Sequence, residues 1–389
     1  MAQFKPQTHA VKAGIASDGQ HGAVVPPIYL STNYTFAGYG QKRAFDYSRS
    51  GNPTRQTLAE ALAALEGGAG AVVTGTGMGA IHLVATALLN AGDLLIAPHD
   101  CYGGTYRLFQ HVAAKGHYRV LFVDQGDDAA WQAALAQGPK LIWIETPSNP
   151  LLRVVDVAKL CQQAQAVGAT VAVDNTFLTP LQQQPLALGA DIVVHSTTKY
   201  LNGHSDVVGG VAIAKTPELA EQLAWWGNCL GLTGGAFDAY LTLRGLRTLA
   251  PRLRTHLENA QQVLAFLQTQ PLVKTLYHPS LPSHPGHAIA CRQQQGFGAM
   301  LSFELEVSQP QLEAFLGALE LFCLAESLGG VESLVAHPAS MTHAGMDPEA
   351  RKVAGISDQL LRLSIGIEHA DDLVEDLRRG FAAVAALGA

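Results

Sequence analysis

The sequence predicts an α/β protein, with a mostly parallel central sheet flanked by helices, a smaller C-terminal α+β domain and an N-terminal arm. Three observations predict it. From residue 70 to about 215, short apolar runs alternate with helical patterns, as in a parallel sheet covered on both faces. Beyond about 255, a long helical stretch is followed by alternating, strand-like runs. Before about 60, Pro26-Pro27, Asn33, Gly38, Gly40 and Gly51-Asn52-Pro53 break every long period. The expected boundaries are 1–60 for the arm, 61–255 for the α/β domain and 256–389 for the C-terminal domain.

Taken in order, the arm needs a surface to pack on, and another subunit would supply one. Leu58, Ala61, Leu62 and Leu65 recur at helical spacing, so a helix is expected over Gln56 to Leu65, ending at Gly67-Gly68. Strands follow at Ala71–Thr74, Leu94–Ala97, Val120–Asp124, Leu141–Glu145, Thr170–Val173 and Asp191–Val194. Helical patterns separate them, at Ala80–Leu89, Tyr106–Ala114, Asp127–Ala136 and Val155–Val167. In the last third, a helix is expected over Arg254–Thr269, a strand over Met300–Leu305, a helix over Gln309–Leu319 and a strand over Leu361–Ile365.

The bulk composition excludes several classes. The chain has 389 residues, 48% of them hydrophobic and only 15% charged, which suits a large, well-buried and oligomeric enzyme. Net charge is −7, and no basic stripe offers a footprint for nucleic acid. No apolar stretch reaches the length of a membrane span, and Met1–Lys5 has no signal-peptide apolar segment, so the expected location is the cytoplasm. The five cysteines have no C-x-x-C spacing, and the fifteen histidines form no His-Glu-x-x-His pattern, which argues against a disulfide framework and a metal site.

Chemistry gathers at the carboxyl ends of the expected strands, where open α/β sheets bind ligands. Lys199, in His195-Ser196-Thr197-Thr198-Lys199, follows an apolar strand, and Asp174 ends another. An amine, hydroxyls and a buried carboxylate together suit pyridoxal phosphate (PLP), which needs a lysine for its Schiff base, donors for its phosphate and an acid for its ring nitrogen. The alternatives are a solvated surface lysine and an ordinary cap or turn aspartate. Gly75-Thr76-Gly77-Met78-Gly79-Ala80 opens a helix and suits an anion, although such a turn is often purely structural. Arg362 suits a carboxylate, with an internal salt bridge as its competitor. Tyr102 can stack on a heteroaromatic ring or fill a core gap. Tyr47 and Arg49 lie in the arm, where plain exposure competes.

Ordered runs along the chain resemble the Cys/Met-metabolism PLP enzymes of fold type I. They are Tyr47-Ser48-Arg49-x-Gly51-Asn52-Pro53-Thr54, Gly75-Thr76-Gly77-Met78, Glu145-Thr146-Pro147-Ser148-Asn149-Pro150, Val173-Asp174-Asn175-Thr176-Phe177 and Ser196-Thr197-Thr198-Lys199-Tyr200-Leu201-Asn202-Gly203-His204. The resemblance implies that Lys199 carries the cofactor, Asp174 pairs with its ring nitrogen and Tyr102 stacks on its ring. It implies that Gly77, Met78, Ser196 and Thr198 bind the phosphate, with Thr176 among the cofactor contacts. Tyr47 and Arg49 would reach that phosphate from a neighbouring subunit of a homotetramer, a dimer of dimers with shared sites. Asn149 would bond the cofactor's phenolic oxygen and, with Arg362 and Ser327, hold the α-carboxylate of an amino-acid substrate. Asp46, Arg107, Asn228 and Glu326 would recognise the substrate's distal groups. The implied reaction is γ-replacement, in which L-cysteine displaces the acyl group of O-succinyl-L-homoserine or another O-acylhomoserine. Lyase and sulfhydrylase activities are the implied alternatives.

Overall fold

A computed structural model describes residues 4–387. Seven strands form the large sheet: β1 (Gly70–Thr74), β2 (Leu94–Pro98), β3 (Arg119–Val123), β4 (Leu141–Glu145), β5 (Thr170–Asp174), β6 (Ile192–Ser196) and β7 (Gly210–Ala214). Their spatial order is β1-β7-β6-β5-β4-β2-β3. All neighbours are parallel except those of β7, which runs antiparallel to both β1 and β6. The reversal brings the start of β7 back beside the carboxyl ends of β1 and β6.

Burial on both faces explains why these strands read as continuous apolar runs. In β4, Ile142 and Ile144 join one core cluster while Leu141 and Trp143 join the other. In β6, Val193 enters the first cluster and Ile192 and Val194 the second. Both faces are dry, so the polar residues of the sheet collect at strand ends.

The second sheet has five strands: β8 (Val273–Tyr277), β9 (Met300–Leu305), β10 (Cys323–Leu324), β11 (Leu334–Ala336) and β12 (Leu360–Ser364), ordered β10-β11-β12-β9-β8. Helices Gln309–Gly317 and Ala370–Leu387 cover one side, where Phe315 sits edge-on to Phe303 and Phe381. The helix Leu249–Leu267 begins before the expected Arg254 and runs through residue 255.

The arm contains one short helix, Pro6–Lys12, inside the stretch expected to be irregular. The next helix is Pro53–Glu66, three residues longer at its start than the apolar period indicates. Pro53 fits the first turn, and Asn52 caps it by accepting from the Thr54 and Arg55 N–H groups. The Asn52 amide also donates to Tyr29 O, which ties the arm to the helix it precedes. Gly67, at φ 75°, ends the helix in the left-handed conformation.

Among the described residues, no helix is long and apolar enough to cross a membrane, and no cluster of His, Cys, Asp and Glu is placed to hold a metal ion.

Candidate active site

The site lies where the carboxyl ends of β1, β4, β5 and β6 meet the second sheet. It is a cavity of about 470 Å³, a size typical of small-molecule sites. Twelve of the residues singled out in the sequence line it. Gly77, Met78, Ser196 and Thr198 form one wall, Tyr102, Asp174, Thr176 and Lys199 the floor and flank, and Asn149, Glu326, Ser327 and Arg362 the side nearest the second sheet.

The first wall is an anion cradle. The helix Gly77–Leu88 starts directly after β1, and its N-cap Thr76 accepts from the Gly79 N–H. The first-turn N–H groups of Gly77 and Met78 have no carbonyl in their own helix to bond, and they open beside the Ser196 and Thr198 hydroxyls. Close approach depends on glycine at two points. A Cβ on Gly77 would come within 2.8 Å of Ser196 Cβ. A Cβ on Gly210, at the start of β7, would run into the Thr76 carbonyl. Thr198 Oγ1 accepts from the Gly209 N–H at 3.0 Å, which locks the turn carrying Lys199 to the strand that follows.

Lys199 is mostly buried. Its Nζ donates to Ser327 Oγ at 2.9 Å. Burial, with Arg362 nearby, brings its pKa down to about 8, so a neutral amine is accessible near neutral pH. Ser327 itself sits at φ 87°, a strained conformation for a residue with a side chain.

Asp174 closes the opposite end. Its Oδ1 accepts from the Thr176 N–H at 3.0 Å, and Thr176 Oγ1 accepts in turn from the Ser196 N–H at 2.9 Å. Burial pushes the Asp174 carboxyl up. The turn behind it is pinned from below, where Asn175 Nδ2 donates to Glu66 Oε1 at 2.9 Å and to Gln183 O at 2.8 Å. Glu66 Oε1 also meets His195 Nε2 at 2.6 Å, with neither side chain exposed. Removing one member leaves a buried polar group without its partner, at a cost of about 1–3 kcal/mol.

Arg362, on β12, is 2% exposed. It donates from Nη1 to Asn149 Oδ1 at 2.9 Å and from Nη2 to Ser327 O at 2.8 Å. Its Nε is buried without a partner among the described residues. Burial lowers its pKa to about 10, which leaves it charged at neutral pH. A carboxylate entering the cavity would satisfy that charge. His343, held near pKa 4 by burial and Arg362, meets Asn149 O through Nε2 at 3.1 Å.

Tyr102 caps the helix Gly103–Ala114 and is 38% exposed, with its ring bordering the cavity. Its N–H donates to both oxygens of Glu145, at 3.0 and 3.1 Å. Glu145 is a cavity residue to which the sequence reading gave no role, although it opens the run Glu145-Thr146-Pro147-Ser148-Asn149-Pro150. Its place at the end of an apolar strand, like that of Asp174, was the available signal. Thr342 lines the cavity from a loop with no comparable signal.

Five residues singled out in the sequence do not line this cavity: Asp46, Tyr47, Arg49, Arg107 and Asn228. Tyr47, Arg49 and Arg107 are exposed. Arg49 donates from Nε to Asn228 Oδ1 at 3.0 Å, and Asp46 pairs with Lys42 at 2.9 Å.

The donor set fits PLP. There is a depressed lysine amine, a buried carboxyl, a hydroxyl-lined helix start, an aromatic side chain at Tyr102 and a cavity of suitable size.

Comparison with known proteins agrees with this chemistry. The chain is 65% identical over 379 residues to cystathionine gamma-synthase of Escherichia coli (strain K12), covering 97% of this chain and 98% of that protein. It is 44% identical over 374 residues to cystathionine gamma-lyase of Bacillus subtilis (strain 168), covering 96% and 98%. A crystal structure of cystathionine gamma synthase from Xanthomonas oryzae pv. oryzae, in complex with cystathionine, superposes with a TM-score of 0.98 at 59% identity, covering 99% of this chain and 100% of that one. The model of the Cys/Met metabolism PLP-dependent enzymes matches residues 7–382, and the chain belongs to that family.

Proposed function

We propose that this enzyme joins O-succinyl-L-homoserine, or another O-acylhomoserine, to L-cysteine by γ-replacement, giving L-cystathionine and, from the succinyl ester, succinate, in methionine biosynthesis by trans-sulfuration. The observation that carries the reading is the 65% identity to a cystathionine gamma-synthase along almost the whole of both chains.

PLP, when bound, supplies an electron sink that would stabilise negative charge at the substrate's Cα and, after it, at Cβ. Lys199 would hold it covalently through Nζ, Asp174 would keep its ring nitrogen protonated, and Tyr102 would stack on its ring. Gly77, Met78, Ser196 and Thr198 would take its phosphate, with Thr176 fixing the turn between Asp174 and Ser196. Arg362, with Asn149 and Ser327, would hold the substrate α-carboxylate. Once released by substrate, the Lys199 amine has a pKa suited to taking a proton from Cα and returning it further along the chain, while its bond to Ser327 Oγ sets its direction. Glu326, Arg107, Asn228 and Asp46 are the candidates for recognising distal groups.

The partner proposed is a second copy of the chain, in a homotetramer. Among the described residues, Lys199 and Arg362 are the only cationic ones lining the cavity, and neither forms the cradle wall. Arg49 and Tyr47 of a neighbouring copy would complete that wall. The arm supports this, because Val24, Leu30, Phe36 and Tyr39 are 64%, 73%, 50% and 107% exposed.

A second reading, γ-elimination from cystathionine, is favoured by the 44% identity to a γ-lyase. One product assay separates the two. The purified yellow protein is offered O-succinyl-L-homoserine with and without L-cysteine, and L-cystathionine separately. Cystathionine from the first pair, with little 2-oxobutanoate from the second substrate, is the expected result. Rapid 2-oxobutanoate with poor synthesis would move the assignment to the lyase.

A further inference from the structure

Two carboxyl groups stand side by side at the floor of the cavity. Glu145 and Asp174 are register partners on the parallel strands β4 and β5, and both line the cavity. Register partners on neighbouring strands lie about 5 Å apart and face the same way. Two ionised carboxylates at that spacing, shielded from water, repel strongly, so such a pair retains one proton over a wide pH range.

The surroundings of the two groups differ. Burial raises the Asp174 carboxyl too, but hydrogen bonds from the Thr176 side chain and N–H work against it and favour the charged form. Glu145 is 8% exposed and accepts from the Tyr102 N–H, a contact that favours its ionised form but is outweighed by burial and by Asp174 beside it. Its acidic neighbours are Asp174 and Asp100, and burial with Asp174 beside it pushes its carboxyl well up. The Cys101 thiol is pushed up as well, by burial and the same acidic surroundings. The cations Lys199 and Arg362 line the cavity, and neither hydrogen-bonds to Glu145 among the described residues.

We propose that Glu145 keeps its proton in the working enzyme and leaves Asp174 as the only charge of the pair. Glu145 is then a positioning residue in two senses. Its carboxyl fixes Tyr102 through the backbone N–H at the start of the helix Gly103–Ala114. As a neutral neighbour, it lets Asp174 stay ionised opposite the cofactor's ring nitrogen. The inference rests on this cavity being the PLP site.

The test is infrared difference spectroscopy on the holoenzyme at neutral pH. The expected result is a protonated-carboxyl carbonyl band that moves when glutamate carboxyls are labelled with carbon-13 and is lost in Glu145→Gln. Absence of such a band in the labelled wild type already overturns the proposal, and if Glu145→Gln folds poorly, Glu145→Asp should keep an acid at the position but make its band insensitive to the glutamate label. A second readout is the pH midpoint of the cofactor's visible absorbance. In Glu145→Gln one neutral group replaces another, so the midpoint stays within about half a unit, whereas loss of an ionised neighbour would move it by about a unit or more. No glutamate-derived band, or the larger shift, overturns the proposal. Asp174→Asn separates the underlying assignment from it. If neither variant alters the cofactor spectrum, the cofactor sits elsewhere and the role given to Glu145 falls with the site.

Discussion

Arg362 and Asn149 hold the two sheets together across the active site. The guanidinium of one, on β12, donates at 2.9 Å to the side-chain amide oxygen of the other, in the loop after β4. The two residues are 213 positions apart. This buried bond, with that of Ser302 Oγ to Pro150 O, ties the second sheet to the loop after β4.

Arg362→Ala removes the bond to Asn149, the bond to Ser327 O and the charge proposed to hold the substrate carboxylate. Losing a buried charge-assisted contact costs about 3–4 kcal/mol, so kcat/KM should fall about 10²–10³-fold. Arg362→Lys should recover little, because one ammonium cannot replace the two-pronged geometry. Steady-state kinetics measures both. A loss of less than about threefold in the alanine variant would remove Arg362 from substrate binding.

Lys199 links stability of the apoprotein to pH. Its folded pKa is about 8, against an ordinary value near 10.5. Between those values the unfolded chain binds the extra proton, so folding stability rises with pH across this window and the penalty is largest below about 8. The full swing is on the order of 3 kcal/mol. Urea unfolding of apo wild type and Lys199→Met should diverge by that amount between pH values near 7 and near 10. Parallel pH profiles would contradict a depressed lysine.

Gly210→Ala probes the anion cradle without touching a polar side chain. The new methyl group would press on the Thr76 carbonyl and on Gly77 Cα, forcing the helix start away from Ser196. Overpacking of this kind costs about 1–3 kcal/mol, which should weaken PLP binding about tenfold or more. Fluorescence titration of the apoprotein with PLP reads the change, and unaltered affinity would show that the phosphate lies elsewhere.

Sharing of the site between subunits is open to complementation. Arg49→Ala and Lys199→Ala should each be nearly inactive alone. Unfolded and refolded together, they should regain activity, because some mixed dimers contain one site with both native residues. No recovery in mixed oligomers would place Arg49 outside the catalytic unit.

Much of this architecture was legible in the chain because dry strands must be apolar throughout. β2, β4, β5 and β6 announce themselves in that way, and the chemical residues appear where those runs end. β7 was not among the expected strands. Gly210-Val211-Ala212-Ile213-Ala214 is short and made of small and apolar residues without alternation, and its place and antiparallel direction rest on its pairing with β1 and β6. β10 and β11, of two and three residues, are too short to carry a period. The same limit explains the site. Lys199 and Asp174 follow apolar strands and could be found, whereas the weight of Glu145 depends on its register with Asp174. Ser327 meets Lys199 and Arg362, which come from distant parts of the chain.

The long reach of Arg362 also bears on folding. Its bond to Asn149 joins residues 213 positions apart, so it can close only when both sheets are present. A chain in which the large sheet alone had formed would already carry Lys199 and Asp174 at its strand ends, yet would lack the guanidinium that faces them.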